Sequence, residues 1–162
     1  MSILGIDCGL HGAVAILADD GTFIDVLDMP TVKVKVGKSN KTRIAPQALA
    51  LLIAAHRPSH AFIESVSASP QMGVSSAFAF GEGKGVVDGI LAALGVPVTY
   101  VTPATWKRAM QVTADKGSSR RRAMQLWPAR AALFQRVMDD GRSEAALIAL
   151  HGLRGRLMGV AA

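Results

Sequence analysis

The chain has 162 residues, half of them hydrophobic, with a mean hydropathy of +0.31, a formal charge of +6 and a pI near 10.0. That length buries one core and is too short for two full catalytic domains, so one domain over 1–162 is expected. No apolar run reaches the roughly 18 residues of a membrane span, and the chain opens directly into a strand pattern without a basic, cleavable leader, so a soluble protein with no membrane partner and no secretion signal is expected.

A single cysteine, Cys8, excludes an internal disulfide and suits a reducing, cytoplasmic location. A lone cysteine beside a strand end, with no His/Asn signature, reads as a small core residue rather than a nucleophile. The charge is unevenly spread: residues 1–88 carry 7 basic and 8 acidic groups, residues 89–162 carry 11 and 4. A basic C-terminal half points to a polyanionic partner.

Ile3 to Asp7 reads as a buried strand ending in a lone acid, followed by a tight turn through Cys8-Gly9-Leu10-His11-Gly12 and a second strand, Ala13 to Leu17. A carboxylate at the end of such a strand needs a partner, and a metal ion is the simplest one. Asp19-Asp20-Gly21 reads as a hairpin turn and Thr22 to Leu27 as a third strand, which completes an antiparallel meander. Thr31 to Ile44 alternates valine and lysine around a Gly-Lys-Ser-Asn tip, and carries Lys33, Lys35, Lys38, Lys41 and Arg43 without an acid. It is either a basic β-hairpin or a flexible loop, and either a DNA-touching flap or an edge ribbon kept soluble by its lysines. Its GKS lacks the leading glycine of a phosphate-binding loop, so no nucleotide cofactor is expected.

Pro46 suits the first turn of a helix to His56, ended by Pro58. The strand His60 to Glu64 then repeats the first pattern, an apolar run closed by one acid. If the two strands are sheet neighbours, Asp7 and Glu64 meet. Ser65 to Val74 has no clear pattern. Ser75 to Leu94 predicts a long helix whose glycines at 81, 85 and 89 recur every four residues; with Gly83 they cost about 1 kcal/mol each against alanine, so close approach of another backbone, a second copy's helix or its own sheet, is expected. Glu82 and Lys84 read as surface groups there.

Val96 to Val101 predicts a fifth strand, with Thr102 as cap and Pro103 as first residue of a short helix carrying Trp106, Lys107 and Arg108. A loop with Asp115, Lys116 and Gly117 precedes a helix from Ser118 to Leu126. Arg120, Arg121 and Arg122 in its first turns oppose the helix dipole, so an anion outside the chain is expected to relieve them. After Trp127-Pro128 comes MDDGRSEAALIALHGL, where Asp140 and Glu144, four apart, share one face at the start of a buried helix.

Asp7, Glu64, Asp140 and Glu144 together make a four-carboxylate cluster that cannot fully ionise without cations between its members. Magnesium, a hard ion that prefers oxygen, satisfies that need, with Mn2+ able to substitute. Two such ions can clamp a phosphodiester. The segments GIDCGLHGA, FIESV, QMGVSSAFAFGEGKG, VPVTYVTPATWKRAM and DDGRSEAALIAL, in this order and spacing across about residues 1–152, resemble RuvC-type Holliday junction resolvases, closest to their phage-encoded branch.

The resemblance implies an α/β, RNase H-like fold: a mixed sheet, an antiparallel three-strand meander followed by parallel strands, flanked by helices. It also implies a homodimer that cuts branched DNA with paired, magnesium-dependent nicks, two ions per active site. Asp7, Glu64 and Glu144 match the family's acids and Asp140 is taken as the fourth, with Asp139 as its rival, since the classical branch has two late aspartates three apart. Lys116 matches a basic residue near the scissile phosphate, with Lys107 as second candidate. The DNA-contacting set is then Lys33, Lys35, Lys38, Lys41, Arg43, Lys107, Arg108, Lys116, Arg120 and Arg121. Where the classical branch carries a base-stacking aromatic after its second acid, this chain has Ser65 and Ser67, which leaves Met72 as an apolar wedge. Two other classes remain: an actin-like sugar kinase, which needs more residues than are present, and a catalytically idle branched-DNA binder.

Overall fold

The structure, a computed structural model, describes residues 1–65, 67 and 71–159; Val66, Ala68, Ser69 and Pro70 of the patternless stretch, and 160–162, lie outside the described residues. Five strands form one sheet in the order β3-β2-β1-β6-β7. β1 (Ser2–Asp7), β2 (Ala13–Ala18) and β3 (Phe23–Asp28) are the antiparallel meander, and β6 (Pro58–Glu64) and β7 (Val98–Val101) run parallel to β1. The mixed sheet flanked by helices expected from the sequence is therefore present.

β1 lies at the sheet's centre and is buried on both faces, with successive side chains entering opposite cores. Ile3 faces the core built by α5 (Asp140–Leu157), whereas Leu4 and Ile6 face the one built by α1 (Pro46–His56) and α2 (Val74–Ala93). Fully burying one such side chain contributes about 1.5–3 kcal/mol. Between them Gly5 lets α5 cross β1 at contact distance: a Cβ there would collide with the Ala145 carbonyl oxygen. This crossing sets the height of Glu144 above the C-terminal end of β1. No helix among the described residues is long and apolar enough to cross a membrane.

Thr31 to Ile44 is a hairpin, not a loop: β4 (Thr31–Val36) and β5 (Ser39–Ile44) pair as a separate two-stranded sheet with the turn at Gly37-Lys38. It docks through Ile44, whose Cδ1 lies 3.3 Å from where a Gly83 Cβ would stand, and through Arg43, which pairs with Glu82 at 2.7 Å. The fifth sheet strand begins at Val98 rather than Val96, because the Val96 N–H still bonds back to Leu91 at the end of α2 and Pro97 has no N–H to give.

Candidate active site

The parallel register of β1 and β6 pairs Ile6 with Ile63, so the acids that close the two strands, Asp7 and Glu64, emerge side by side at the same sheet edge. β7 pairs with β6 up to Glu64 and Val101. The next residue, Thr102, caps α3 (Pro103–Ala109), its hydroxyl accepting from the Thr105 N–H at 3.3 Å. That places α3 directly beside Glu64. α5 then brings Glu144 over the same edge, and α4 (Ser118–Leu126) closes the far wall. The result is a cleft of about 720 Å³, with Asp7, Glu144, Asp140, Lys107, Lys116 and Ser119 in its walls.

Each of the three central acids is held at one oxygen by a neutral donor. Asp7 Oδ1 accepts from the Gly9 N–H at 3.1 Å, Glu64 Oε1 from the Trp106 indole N–H at 2.8 Å, and Glu144 Oε1 from the Ser119 hydroxyl at 3.2 Å. Neutral donors orient a carboxylate without cancelling its charge. The Lys107 ammonium lies 3.5 Å from Glu144 Oε1 and 5.2 Å from the centre of the Trp106 ring. Burial pushes the Asp7 carboxyl up, opposed by the Gly9 N–H and by Lys107. Glu144 is also raised, first by burial; the charges of Asp7 and Glu64 add to the rise, while Lys107 and Ser119 oppose it. Both rises come first from burial of a charge, and at Glu144 the neighbouring acids add to it, so a cation entering there would be favoured. Burial and the same negative surroundings push the Cys8 thiol up to about 12, so it stays protonated and is no nucleophile.

Asp140 is at the rim. Its side chain is about half exposed and its Oδ1 accepts from Arg120 Nε at 2.8 Å. Asp139, by contrast, is buried in the short 3-10 turn before α5, where it accepts from the Arg136 backbone N–H at 2.8 Å and from its guanidinium at 2.7 Å. Among the described residues no three His, Cys, Asp or Glu side chains stand around a common point at metal-binding distance, so the four-acid cluster expected from the sequence is not assembled around one ion position. Gly141, three residues before Glu144, packs on the turn: a Cβ there would collide with the His11 carbonyl oxygen and lie 3.2 Å from Asp7 Oδ2. A side chain at 141 is thus excluded, so no acid can stand three residues before Glu144 in this packing.

The expectation that Arg120 to Arg122 await an outside anion is corrected. Arg120 is bound to Asp140 and the Gln135 carbonyl, Arg121 to Asp115 and the Lys116 carbonyl, and Arg122 to the Met110 carbonyl. The chain itself offsets the dipole. Lys33, Lys35, Lys38, Lys41, Arg108 and Lys116 form no ion pair among the described residues, whereas Arg43 is committed to Glu82. Met72 lines a smaller, largely apolar pocket with Cys8, Leu10 and Phe80, which shares Leu10 with the acids' cleft. Phe78, exposed on α2, is the first aromatic after the second acid in the sequence and was not singled out by sequence reasoning. Nor were Trp106 and Ser119 seen as partners of the acids; the only sequence signal was a capped helix carrying Trp106 beside Lys107.

The family model for crossover junction endodeoxyribonuclease RuvC matches residues 3–140. Among solved structures, T. thermophilus RuvC in complex with Holliday junction substrate has a TM-score of 0.68 at 17% identity, covering 99% of this chain and 98% of that one. The Thermus thermophilus RuvC structure gives 0.64 at 18% with the same coverage. The yeast mitochondrial Holliday junction resolvase Ydc2 gives 0.60 at 15%, covering 96% and 78%. No curated protein matches significantly in sequence. With the matched segment spanning most of the chain, this protein belongs to the RuvC family of crossover junction endodeoxyribonucleases.

Proposed function

We propose that the protein resolves four-way DNA junctions by paired, magnesium-dependent phosphodiester hydrolysis, with one nuclease domain over 1–162 in each chain of a homodimer. The observation that carries this is that Asp7 and Glu64 close neighbouring parallel strands and Glu144 comes over the same end from α5, where it feels both their charges, each acid being held at one oxygen. Gathering them around one ion takes side-chain movement, since no three of them share an ion position among the described residues. The donor set fits a hard dication: all the ligands are carboxylate oxygens, and the rise of Asp7 and Glu144 implies that added positive charge would be stabilising there. Asp7, Glu64 and Glu144 would hold Mg2+, with Asp140 joining only on leaving Arg120. Such ions, two per site, would supply an activated water and offset charge on the leaving 3′-oxygen.

The chain's own groups do the rest. Lys107 and Lys116 both line the cleft, and their charge would stabilise the additional negative charge that a phosphodiester develops in the transition state. The hairpin lysines, exposed and free of ion pairs, reach along the DNA arm and bind its phosphates without reading sequence.

The test is labelled four-way junction, duplex and single strand, each with and without magnesium. The expected result is symmetric nicking of the junction only, with metal, lost in Glu64→Gln while junction binding persists. Binding without cleavage under every condition would instead mark an idle branched-DNA binder. In the same binding assay, log K should fall by about 0.9 per phosphate neutralised as log salt rises. Replacing Lys33, Lys35, Lys38 and Lys41 by Gln should lower that slope; an unchanged slope would return the hairpin to a solvated ribbon.

The dimer rests on the exposed face of α2. A Cβ at Gly81, Gly85 or Gly89 would meet no atom of the described residues beyond its own helix backbone within 4 Å, unlike Gly83, which packs on Ile44. The three outer glycines do not serve internal packing, and they lie on the same exposed side as Val74 and Phe78. A junction with two symmetry-related strands to cut matches a two-fold pair joined there. Gly85→Leu should give a folded monomer by light scattering with weakened junction selectivity; an unmutated protein already monomeric at micromolar concentration would sink the interface.

A further inference from the structure

The residue that binds Glu64 is fully buried, neutral and delivered by the same short helix as the site's lysine. Trp106 has no solvent exposure, so its indole N–H, 2.8 Å from Glu64 Oε1, has no water to compete for it. A hydrogen bond to a charged acceptor in such surroundings is strong, and its donor is costly to leave unpaired. Its geometry is rigid at both ends. Thr102 and Pro103 start α3 where β7 ends, and β7 is paired with the strand that carries Glu64. Lys107, the next residue, lies over the same indole and reaches Glu144. Adjacent residues of α3 therefore address two acids from different elements, one with a neutral donor and one with a charge. The neutral one leaves the Glu64 charge intact and fixes one of its two oxygens.

We propose that Trp106 is a positioning residue that holds the Glu64 carboxylate in the orientation a divalent cation needs, and so sets the cation affinity of the site. This rests on the proposed role of Glu64 as a cation ligand. A ligand-orienting partner of this kind typically changes metal affinity 10–100-fold. With the donor gone, Glu64 must be ordered from several rotamers each time a cation binds.

The experiment uses the full chain. Of its two tryptophans, Trp127→Phe removes one indole N–H signal from a 15N NMR spectrum and so identifies that of Trp106. Magnesium titration is expected to shift the Trp106 signal. By calorimetry, Trp106→Phe is expected to bind Mg2+ about 10–100-fold more weakly. Its kcat on a junction should be low at limiting magnesium and recover at saturation, with KM for DNA unchanged. A purely structural role would lower the melting temperature and leave the Mg2+ affinity of the folded variant as in the parent; that result overturns the proposal. If Trp106→Phe does not fold, the unmutated protein decides, since an indole signal that ignores saturating Mg2+ overturns it equally. Glu64→Gln separates the two layers: if it binds Mg2+ and cleaves normally, the parent reading fails and this one with it, whereas loss of both in Glu64→Gln beside a normal Trp106→Phe overturns the role of Trp106 alone.

Discussion

Asp7→Asn is expected to abolish junction cleavage, by more than about a thousand-fold, the scale on which loss of one group acting on developing charge is felt, while making the metal-free protein more stable at pH 7. The two effects have one origin. Burial raises the Asp7 carboxyl above its ordinary 3.8, and although the Gly9 N–H and Lys107 oppose the rise they do not cancel it. For an acid with a raised folded value, stability is fully present below the ordinary carboxylate range and lost as pH climbs through the folded value. At pH 7 the protein therefore carries the whole penalty, shared with Glu144, which is raised for the same reason and feels the Asp7 charge. Asparagine keeps the Oδ1 acceptor for Gly9 and removes the charge. The melting temperature should rise by roughly 2–4 °C per kcal/mol of charge-burial penalty removed, and the gain should shrink as pH is lowered toward 4. Magnesium should stabilise the unmutated protein and leave the variant indifferent. Undiminished nicking, or a variant less stable than its parent across this range, would remove Asp7 from the site.

Much of this was legible in the sequence because it is local. ILGID and HAFIE each read as buried strands that end in an acid, and the helical spacing of Asp140 and Glu144 needs only about 100° per residue. What escaped depends on which strands are neighbours. Trp106 meets Glu64 only because β7 lies beside β6 and α3 starts where β7 stops; nothing in TPATWK states that adjacency. Arg120, Arg121 and Arg122 looked uncompensated because their partners, Asp140, Asp115 and a carbonyl at Met110, are up to 20 residues away and are brought in by the loop and the start of α5. Gly141 carried no signal in the sequence, yet it is where the turn after β1 packs against α5, with no room for a Cβ.

The rim is where the second large effect lies. Asp140→Asn is expected to eliminate nicking with little change in stability, and Asp139→Asn to destabilise the fold with only a modest loss of nicking. Asp140 is half exposed, and its pair with Arg120 is of the kind that contributes about 0–1 kcal/mol. It also lines the cleft with Asp7 and Glu144. Asp139 is 1% exposed and sits in the turn that starts α5. Burial pushes its carboxyl up, but the Arg136 guanidinium and backbone N–H, with the Arg142 charge, outweigh that and hold it below the ordinary 3.8. An acid with a depressed folded value contributes stability above the ordinary carboxylate range that is lost as pH falls through the folded value, so Asp139→Asn should flatten the acid limb of the stability curve below about pH 4. Breaking a fully buried pair costs about 3–5 kcal/mol; with Arg136 half exposed, about 2 kcal/mol is the expected loss, or roughly 4–8 °C in melting temperature. Activity per folded molecule should stay near that of the parent, because Asp139 faces Arg136 rather than the cleft. Thermal melts beside single-turnover nicking on the two variants decide the matter. A folded but inactive Asp139→Asn would make Asp139 the fourth acid. An active Asp140→Asn would leave the site with the three acids of β1, β6 and α5, and would make Arg120 the reason the fourth was never available.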